Sequence, residues 1–389
     1  MRLDAGLNWR EQYDGEMAEP DRVLIERMAM YGKAAVLVEK NRLETWDVEV
    51  HAPEPGGALV RTILGGVCGS DVHILTGEAG EVPFPIILGH EGVGEITQLG
   101  AGVFTDYAGT PVKAGDLVIW SPIALCHRCY SCTVLEQTPC ENSQYFEDAA
   151  KPNWGSYSDY AWLPNNMPFY RLPDGAQPEA IAALGCALPT VLRGFDRCGP
   201  VRFGDSVVVQ GAGPVGLSAI LVAAQAGARE IIVIDGAQAR LDAAMTLGAT
   251  ATVSLSLPSE ERKRMIYDLV GKQGPDIVIE AAGALPAFPE GVDISGIHSR
   301  YIILGLWGAI GTQPISPRDL TLKNLTIGGA SFPAPKNYYQ GMQFAARVQN
   351  QVPLAALVSH RFSISQAAEA LTVTKNGVAT KAVIDPTIS

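Results

Sequence analysis

The 389-residue sequence predicts an α/β protein of two domains, one β-rich with barrel character and one built on a doubly wound parallel sheet. Three observations carry that expectation. The chain is longer than one ordinary hydrophobic core supports. Its first half breaks into short β-patterned runs separated by Gly, Pro and charge. From about Phe203 onward, apolar strands alternate with helical stretches, the pattern of parallel strands covered by helices on both faces.

Residues 1–30 read as an extension, in which Pro20 and Asp21 open a short helix with Val23, Leu24, Ile25 and Met28 on its apolar side. Runs 34–38, 46–50, 58–67, 93–99 and 117–119 read as strands of the β-rich domain. The second style begins with strand 206–210 and helix 215–226. It continues with strand 230–234, helix 241–247, strand 276–280 and strand 300–304. After about Ile327 the chain leaves that sheet, and 381–384 is a closing strand. The expected domains are therefore 31–187 with 327–389, and 188–326 inserted between them.

Composition excludes several classes. Hydrophobic residues make up 47% and charged residues 18%, which describes a packed core rather than a disordered chain. The net charge of −12 argues against nucleic acid, whose phosphates need basic stripes. No run reaches the roughly 18 apolar residues of a membrane span. Residues 1–30 hold Asp4, Glu11, Asp14, Glu16, Glu19, Asp21 and Glu26 and no apolar leader, so the cytoplasm is the expected location.

The segment 207–216 follows an apolar strand and opens a helix, with Gly211, Gly213 and Gly216 in the G-x-G-x-x-G pattern and Pro214 and Val215 between them. Gly211 permits the tight turn, Gly213 lets the backbone approach a pyrophosphate, and Gly216 lets the helix pack on the strand. The helix N-terminus then offers free N–H groups to phosphates. Asp235 lies 24 residues beyond Gly211 at the end of the next strand. A carboxylate there accepts bonds from ribose hydroxyls and repels a 2′-phosphate, which favours NAD over NADP. Arg240, five residues on, is within reach of the ribose.

Seven cysteines are present, and Cys126-x2-Cys129-x2-Cys132-x7-Cys140 crowds four of them into a loop spanning about 122–142. Four thiolates can enclose one tetrahedral zinc with every position filled, a structural site. An iron–sulfur cluster needs similar ligands, and a zinc ribbon that reads nucleic acid is disfavoured by the acidic charge. Three further segments hold metal-ligand types: Cys68 within 66–73, His90 within 89–92, and Cys186 within 183–187. Singly, each reads as a buried apolar thiol or a core histidine. Together they offer two thiolates and an imidazole, with a fourth position open.

On these motifs, namely 68–73, 89–91, the four-cysteine loop, 211–216 and Asp235, the sequence resembles the zinc-containing alcohol dehydrogenases of the medium-chain dehydrogenase/reductase family. The resemblance runs from about Lys33 to Ile384. It implies a GroES-like catalytic domain and a Rossmann cofactor domain. It implies that Cys68, His90 and Cys186 hold a catalytic zinc, that Glu91 is the acid beside it, and that Asp71 orients His90. Ser70 takes the substrate proton and His73 ends the relay to solvent. Thr190 and Val215 pack on the nicotinamide. Leu304, Gly305, Leu306 and Ile327 form a wall that binds the carboxamide, and Lys381 is the cation for the pyrophosphate. Pro122, Tyr157 and Leu306 are the implied pocket positions, with Trp120, Trp154 and Trp307 nearby. One departure is Gly69, where relatives often carry a cation.

The implied cofactors are two zinc ions per chain and NAD, and the implied partner is a small alcohol or carbonyl. A Lewis acid held by two thiolates and a neutral imidazole favours the alkoxide over the alcohol. The bulky apolar pocket set points to a hydrophobic, cyclic secondary alcohol. A diol or polyol is the alternative within the family, and a non-catalytic NAD-binding protein is the alternative outside it. A homodimer or homotetramer through the edge of the cofactor sheet is expected, with strand 300–304 and the segment after it as candidates.

Overall fold

The computed structural model describes residues 30–135, 139–306 and 310–388. The extension helix expected near 20–28 and the pocket residue Trp307 lie outside the described residues.

The β-rich domain is organised on the strand Ala58–Val67, which is buried along nearly its whole length. It pairs antiparallel with Gly92–Leu99, with Tyr160–Leu163 and with Lys381–Ile384. Leu117–Trp120, Phe169–Arg171 and Val358–Phe362 complete a seven-stranded sheet. The closing strand therefore returns from the far end of the chain, with Ala382 opposite Val67 and Val383 opposite Gly66. A three-stranded sheet of Arg42–Glu49, Tyr31–Glu39 and Ile86–Ile87 packs alongside.

The second domain is a six-stranded parallel sheet. Its order is Ala251–Ser254, Glu230–Asp235, Ser206–Gln210, Ile277–Glu280, Arg300–Ile303 and Thr326–Gly329. The first strand in sequence lies in the middle, and the chain builds outward from it in both directions. The order reverses between Ser206–Gln210 and Ile277–Glu280, and ligands bind at such a switch point, beyond the carboxyl ends of the strands. Side-chain alternation explains why these strands read as continuous apolar runs. Val207, Val209, Ile231, Ile277 and Ile279 pack on one face, and Val208, Ile232 and Val278 on the other. Each fully buried Val or Ile contributes about 1.5–3 kcal/mol.

The first of these clusters also contains Leu64, Val93 and Ile119 of the β-rich domain, together with Leu188, Val191 and Tyr338 from the helices Ala187–Cys198 and Pro335–Val348. The two domains thus share one apolar core at the junction where the site lies.

Two expectations need correction. The sheet does not end before Ile327. Thr326–Gly329 is its sixth strand, paired in parallel with Arg300–Ile303, so a boundary drawn at 326/327 cuts through a strand. The strand reads Thr-Ile-Gly-Gly, which is too short and glycine-rich to show a β pattern. Arg300–Ile303 is consequently an inner strand, and Thr326–Gly329 is the edge.

Candidate active site

Cys68 and Asp71 open the short helix Gly69–Thr76, which follows the central strand directly. The Asp71 carboxylate is completely buried, and every polar contact it makes is to the site. Its Oδ1 accepts the His90 Nδ1–H at 2.8 Å. Its Oδ2 accepts the Tyr157 hydroxyl at 2.8 Å and the Cys68 backbone N–H at 3.0 Å. With Nδ1 committed, the imidazole presents Nε2 to the site.

Cys186 arrives from the other side as the N-cap of the helix Ala187–Cys198, after Gly185 at φ +39°. A side chain on Gly185 would collide with the Glu91 carboxylate, and so would one on Gly66. Glu91 is buried between them. Its Oε1 accepts the Cys186 N–H at 2.6 Å and its Oε2 pairs with Lys381 at 2.5 Å. Ligand-type atoms of Cys68, His90, Glu91 and Cys186 all lie within 4.8 Å of one another.

The charges suit a cation. The Cys186 thiol, 3.4 Å away, donates to Cys68 and holds its sulfur as thiolate well below the usual range. Burial opposes ionisation of Glu91, but the Lys381 ammonium, His90 and the Cys186 N–H together outweigh it and bring the carboxyl down to about 2. Burial opposes charge on His90, but Asp71 and the Cys68 sulfur together raise its pKa well above the ordinary value, so a metal would displace the Nε2 proton on binding. Sulfur, imidazole and carboxylate donors converging in a buried place with a net negative charge form a donor set that zinc fits.

The four-cysteine loop is a second such place. Sulfurs of Cys126, Cys129, Cys132 and Cys140 also lie within 4.8 Å of one another. Backbone N–H groups of Cys126 and Asn142 both donate to the Cys140 sulfur at 3.4 Å. Backbone donation, led by Arg128, lowers the Cys126 thiol to about 6, whereas burial raises that of Cys132 to about 12. A four-sulfur pocket lined by N–H donors fits a tetrahedral, fully enclosed zinc.

Between the domains runs a cavity of about 920 Å³. Gly211, Gly213, Pro214, Asp235 and Arg240 line it from the cofactor domain, and Val67, Gly69 and Lys381 from the other. It therefore reaches both neighbours of Cys68. Gly211 has φ +95°, and a Cβ there would lie 2.7 Å from Ala282. Gly213 is the N-cap and Pro214 the first residue of the helix Pro214–Gln225. Gly216 packs this helix against the Gly211 carbonyl, which leaves no room for a side chain. At Gly69 a side chain would meet nothing within 4 Å, so the missing cation leaves open space.

Several expected residues sit differently from the sequence reading. Asp235 is buried, and both oxygens are engaged, Oδ2 with the Ala212 N–H at 2.7 Å and Oδ1 with the Ala237 N–H at 2.8 Å. It ties the glycine turn to the neighbouring strand end while keeping lone pairs for the cavity. Arg240 lies 3.9 Å from it. Lys381 is not a free cation for a pyrophosphate, because it is buried and its charge is spent on Glu91. Ile327 is not part of the cleft wall. It lies near the start of its strand and packs beneath the sheet with the cluster that holds Val208 and Tyr301. Tyr157 is not a pocket wall either, since it is fully buried behind Asp71. Trp120 and Trp154 also turn inward, donating to the carbonyls of Trp154 and Pro122.

The other expected residues are placed as follows. Ser70 is half-buried, with Oγ 3.8 Å from the Cys68 sulfur. His73, one turn along the same helix, is partly exposed and pairs with Glu78 at 2.7 Å. Thr190 donates its hydroxyl to the Cys186 carbonyl at 2.8 Å. Val215 packs against the shared core. Leu304, Gly305 and Leu306 follow the strand Arg300–Ile303 at its cleft end. Sequence reasoning missed the Lys381–Glu91 pair and the Tyr157 clamp. The one available signal was the glycine before Cys186.

The chain is similar to known proteins along most of its length. Residues 54–174 match the alcohol dehydrogenase GroES-like domain, and 214–347 match the zinc-binding dehydrogenase family. The chain is 67% identical over 359 residues to the 5-exo-hydroxycamphor dehydrogenase of Pseudomonas putida, covering 92% of this chain and 99% of the relative. It is 30% identical over 346 residues to an L-threonine 3-dehydrogenase of Anaeromyxobacter dehalogenans, covering 87% and 94%. Among solved structures, an alcohol dehydrogenase of Thermotoga maritima superposes with a TM-score of 0.84 at 30% identity, covering 92% and 99%. A zinc-binding dehydrogenase of Sinorhizobium meliloti bound to NADP superposes with 0.81 at 25%, covering 92% and 100%.

Proposed function

The chain belongs to the zinc-dependent medium-chain alcohol dehydrogenases, and on that premise we propose that it oxidises a bicyclic secondary alcohol of the hydroxycamphor type with NAD, using one catalytic and one structural zinc. The observation that carries the reading is the convergence of Cys68, His90 and Cys186 from three distant segments, beside a cavity flanked by a dinucleotide turn. The substrate class rests on the 67% identical relative, whose name denotes a camphor skeleton bearing a hydroxyl.

Cys68, His90 and Cys186 would hold the catalytic metal, and Cys126, Cys129, Cys132 and Cys140 the structural one. Bound zinc supplies a Lewis acid for the substrate oxygen, and bound nicotinamide supplies the acceptor for its hydride. The protein's own groups do the rest. Asp71 fixes the His90 tautomer and ring, and is itself fixed by Tyr157 and the Cys68 N–H. Glu91 is anchored at the site by Lys381 and the Cys186 N–H. Ser70 accepts the hydroxyl proton of the substrate, and His73, three residues along the helix, delivers it to solvent. The backbone of 304–306 receives the carboxamide, while Thr190 and Val215 pack on the nicotinamide ring. NAD is favoured over NADP because Asp235 is a buried carboxylate at the ribose end of the cavity. No described helix is long and apolar enough to cross a membrane. The edge strand Thr326–Gly329 is the surface through which copies of the chain would pair.

The reading is tested by following nicotinamide reduction with 5-exo-hydroxycamphor, simple cyclic alcohols, primary alcohols and polyols, each with NAD and NADP. The expected order places bicyclic and cyclic secondary alcohols first and NAD ahead of NADP. Preference for a polyol or for NADP would overturn the corresponding part.

A further inference from the structure

Glu280 is fully buried at the end of the strand Ile277–Glu280, and nothing in the chemistry above uses it. Burying a carboxylate is costly unless its oxygens are bonded. Here the partners are backbone groups of two different loops. Oε1 accepts the N–H of Ala282 at 2.9 Å and of Gly283 at 2.7 Å. Oε2 accepts the N–H of Gly305 at 2.9 Å. The main-chain carbonyl of the same residue accepts the N–H of Leu304 at 2.9 Å and of Gly305 at 3.1 Å.

The two loops follow neighbouring parallel strands and are pressed together. Gly283 has φ +69°, and a Cβ there would lie 2.9 Å from the Gly305 carbonyl oxygen. A Cβ on Gly305 would lie 2.6 Å from the Gly283 nitrogen and 3.0 Å from Glu280 Oε2. Ala281, Ala282 and Ala284 line the cofactor cavity. The second loop is the segment that would receive the carboxamide. Without the bridging carboxylate, the Ala282 and Gly283 N–H groups would need other partners, Gly305 would keep only the main-chain carbonyl of Glu280, and no side chain would tie the first loop to the second.

We propose that Glu280 is a positioning residue for the nicotinamide half of the cofactor: its carboxylate clamps loops 281–283 and 304–306 into the one arrangement that presents the 304–306 backbone to the ring. This rests on the dinucleotide reading above. It separates two halves of one ligand, because the adenosine and pyrophosphate end would sit on Gly211, Gly213 and Asp235, none of which the Glu280 carboxylate bonds, although Gly211 packs on Ala282 of the clamped loop.

The test compares the affinities of NADH and ADP-ribose for the zinc-loaded enzyme and for Glu280→Gln. The amide keeps one acceptor oxygen and turns an NH2 toward a backbone donor. NADH affinity is expected to fall about tenfold or more, the size of a lost bond to a charged acceptor, with ADP-ribose affinity within about twofold. Glu280→Asp keeps the charge but is one methylene short, and it should lie between. Unchanged NADH affinity, or equal losses for both ligands, would overturn the proposal. A wild-type enzyme that binds neither ligand would instead bring down the dinucleotide reading. Should Glu280→Gln fail to fold, Gly305→Ala wedges the same loops apart and must show the same split.

Discussion

The two sulfur clusters of this protein are assembled in opposite ways. Cys126, Cys129, Cys132 and Cys140 come from a single loop, contribute sulfur alone, and accept their supporting bonds from backbone N–H groups and the Asn142 amide of the same loop. Cys68, His90, Glu91 and Cys186 come from three segments, mix three kinds of donor, and depend on side chains that arrive from still further away. Tyr157 reaches Asp71 across 86 residues, and Lys381 reaches Glu91 across 290. A closed set of four thiolates can only hold structure, whereas a set with an open place needs a tuned and rigid surround. On the proposed reading, the long-range buried network serves the chemistry and the local one a staple.

That contrast can be broken in graded steps. The largest effect is expected from Cys68→Ala. Losing the Lewis acid removes several kcal/mol of transition-state stabilisation, so kcat/KM should fall by about three orders of magnitude or more, with the far-UV circular dichroism unchanged. Retained turnover would dissolve the distinction between the clusters.

Next is Lys381→Met, which leaves Glu91 buried without its cation and should cost about 3–5 kcal/mol in urea unfolding at pH 7. Its pH dependence has a definite sign. In the native protein Glu91 titrates at about 2, against an ordinary value of 4.5. Its contribution is therefore present above about pH 4.5 and is lost as pH falls toward 2. In the variant the buried carboxyl gains stability on protonation, so the gap to wild type should narrow below about pH 4.5. A gap that widens there would show that the pair is not what holds Glu91.

A smaller loss, about 10–100-fold in metal affinity or activity, is expected for Asp71→Asn, measured by competition with a zinc chelator. The amide can still accept from Tyr157 or from Cys68, but it no longer steadies a polarised His90.

The same contrast explains how much could be read beforehand. The cysteine spacing, the glycine turn and the acid after the next strand are local patterns, and each names its own chemistry. The strands 58–67, 206–210 and 381–384 were legible because unbroken apolar or alternating runs bounded by glycine, or by Asp-Pro after Ile384, leave few other structures. The mixed-donor cluster was legible only through family resemblance, since no spacing rule joins Cys68 to Cys186. What failed was tertiary in origin. Lys381 looks like a cation for phosphate until the strand Lys381–Ile384 pairs beside Gly66 and buries it on Glu91. Tyr157 looks like a pocket wall until its hydroxyl is found under Asp71. Ile327 was misplaced because a four-residue strand ending in two glycines carries almost no pattern. Glu280 was passed over because the same apolar run that marks its strand hides the one carboxylate at its end.

The division of labour between the clusters is tested most directly by counting zinc per chain in the wild type, Cys68→Ser and Cys132→Ser, by atomic emission on samples of known turnover and unfolding temperature. Two zinc ions are expected in the wild type and one in each variant, with turnover lost in Cys68→Ser and the unfolding temperature lowered chiefly in Cys132→Ser. A single zinc in the wild type, or loss of turnover without loss of metal in Cys68→Ser, would contradict it.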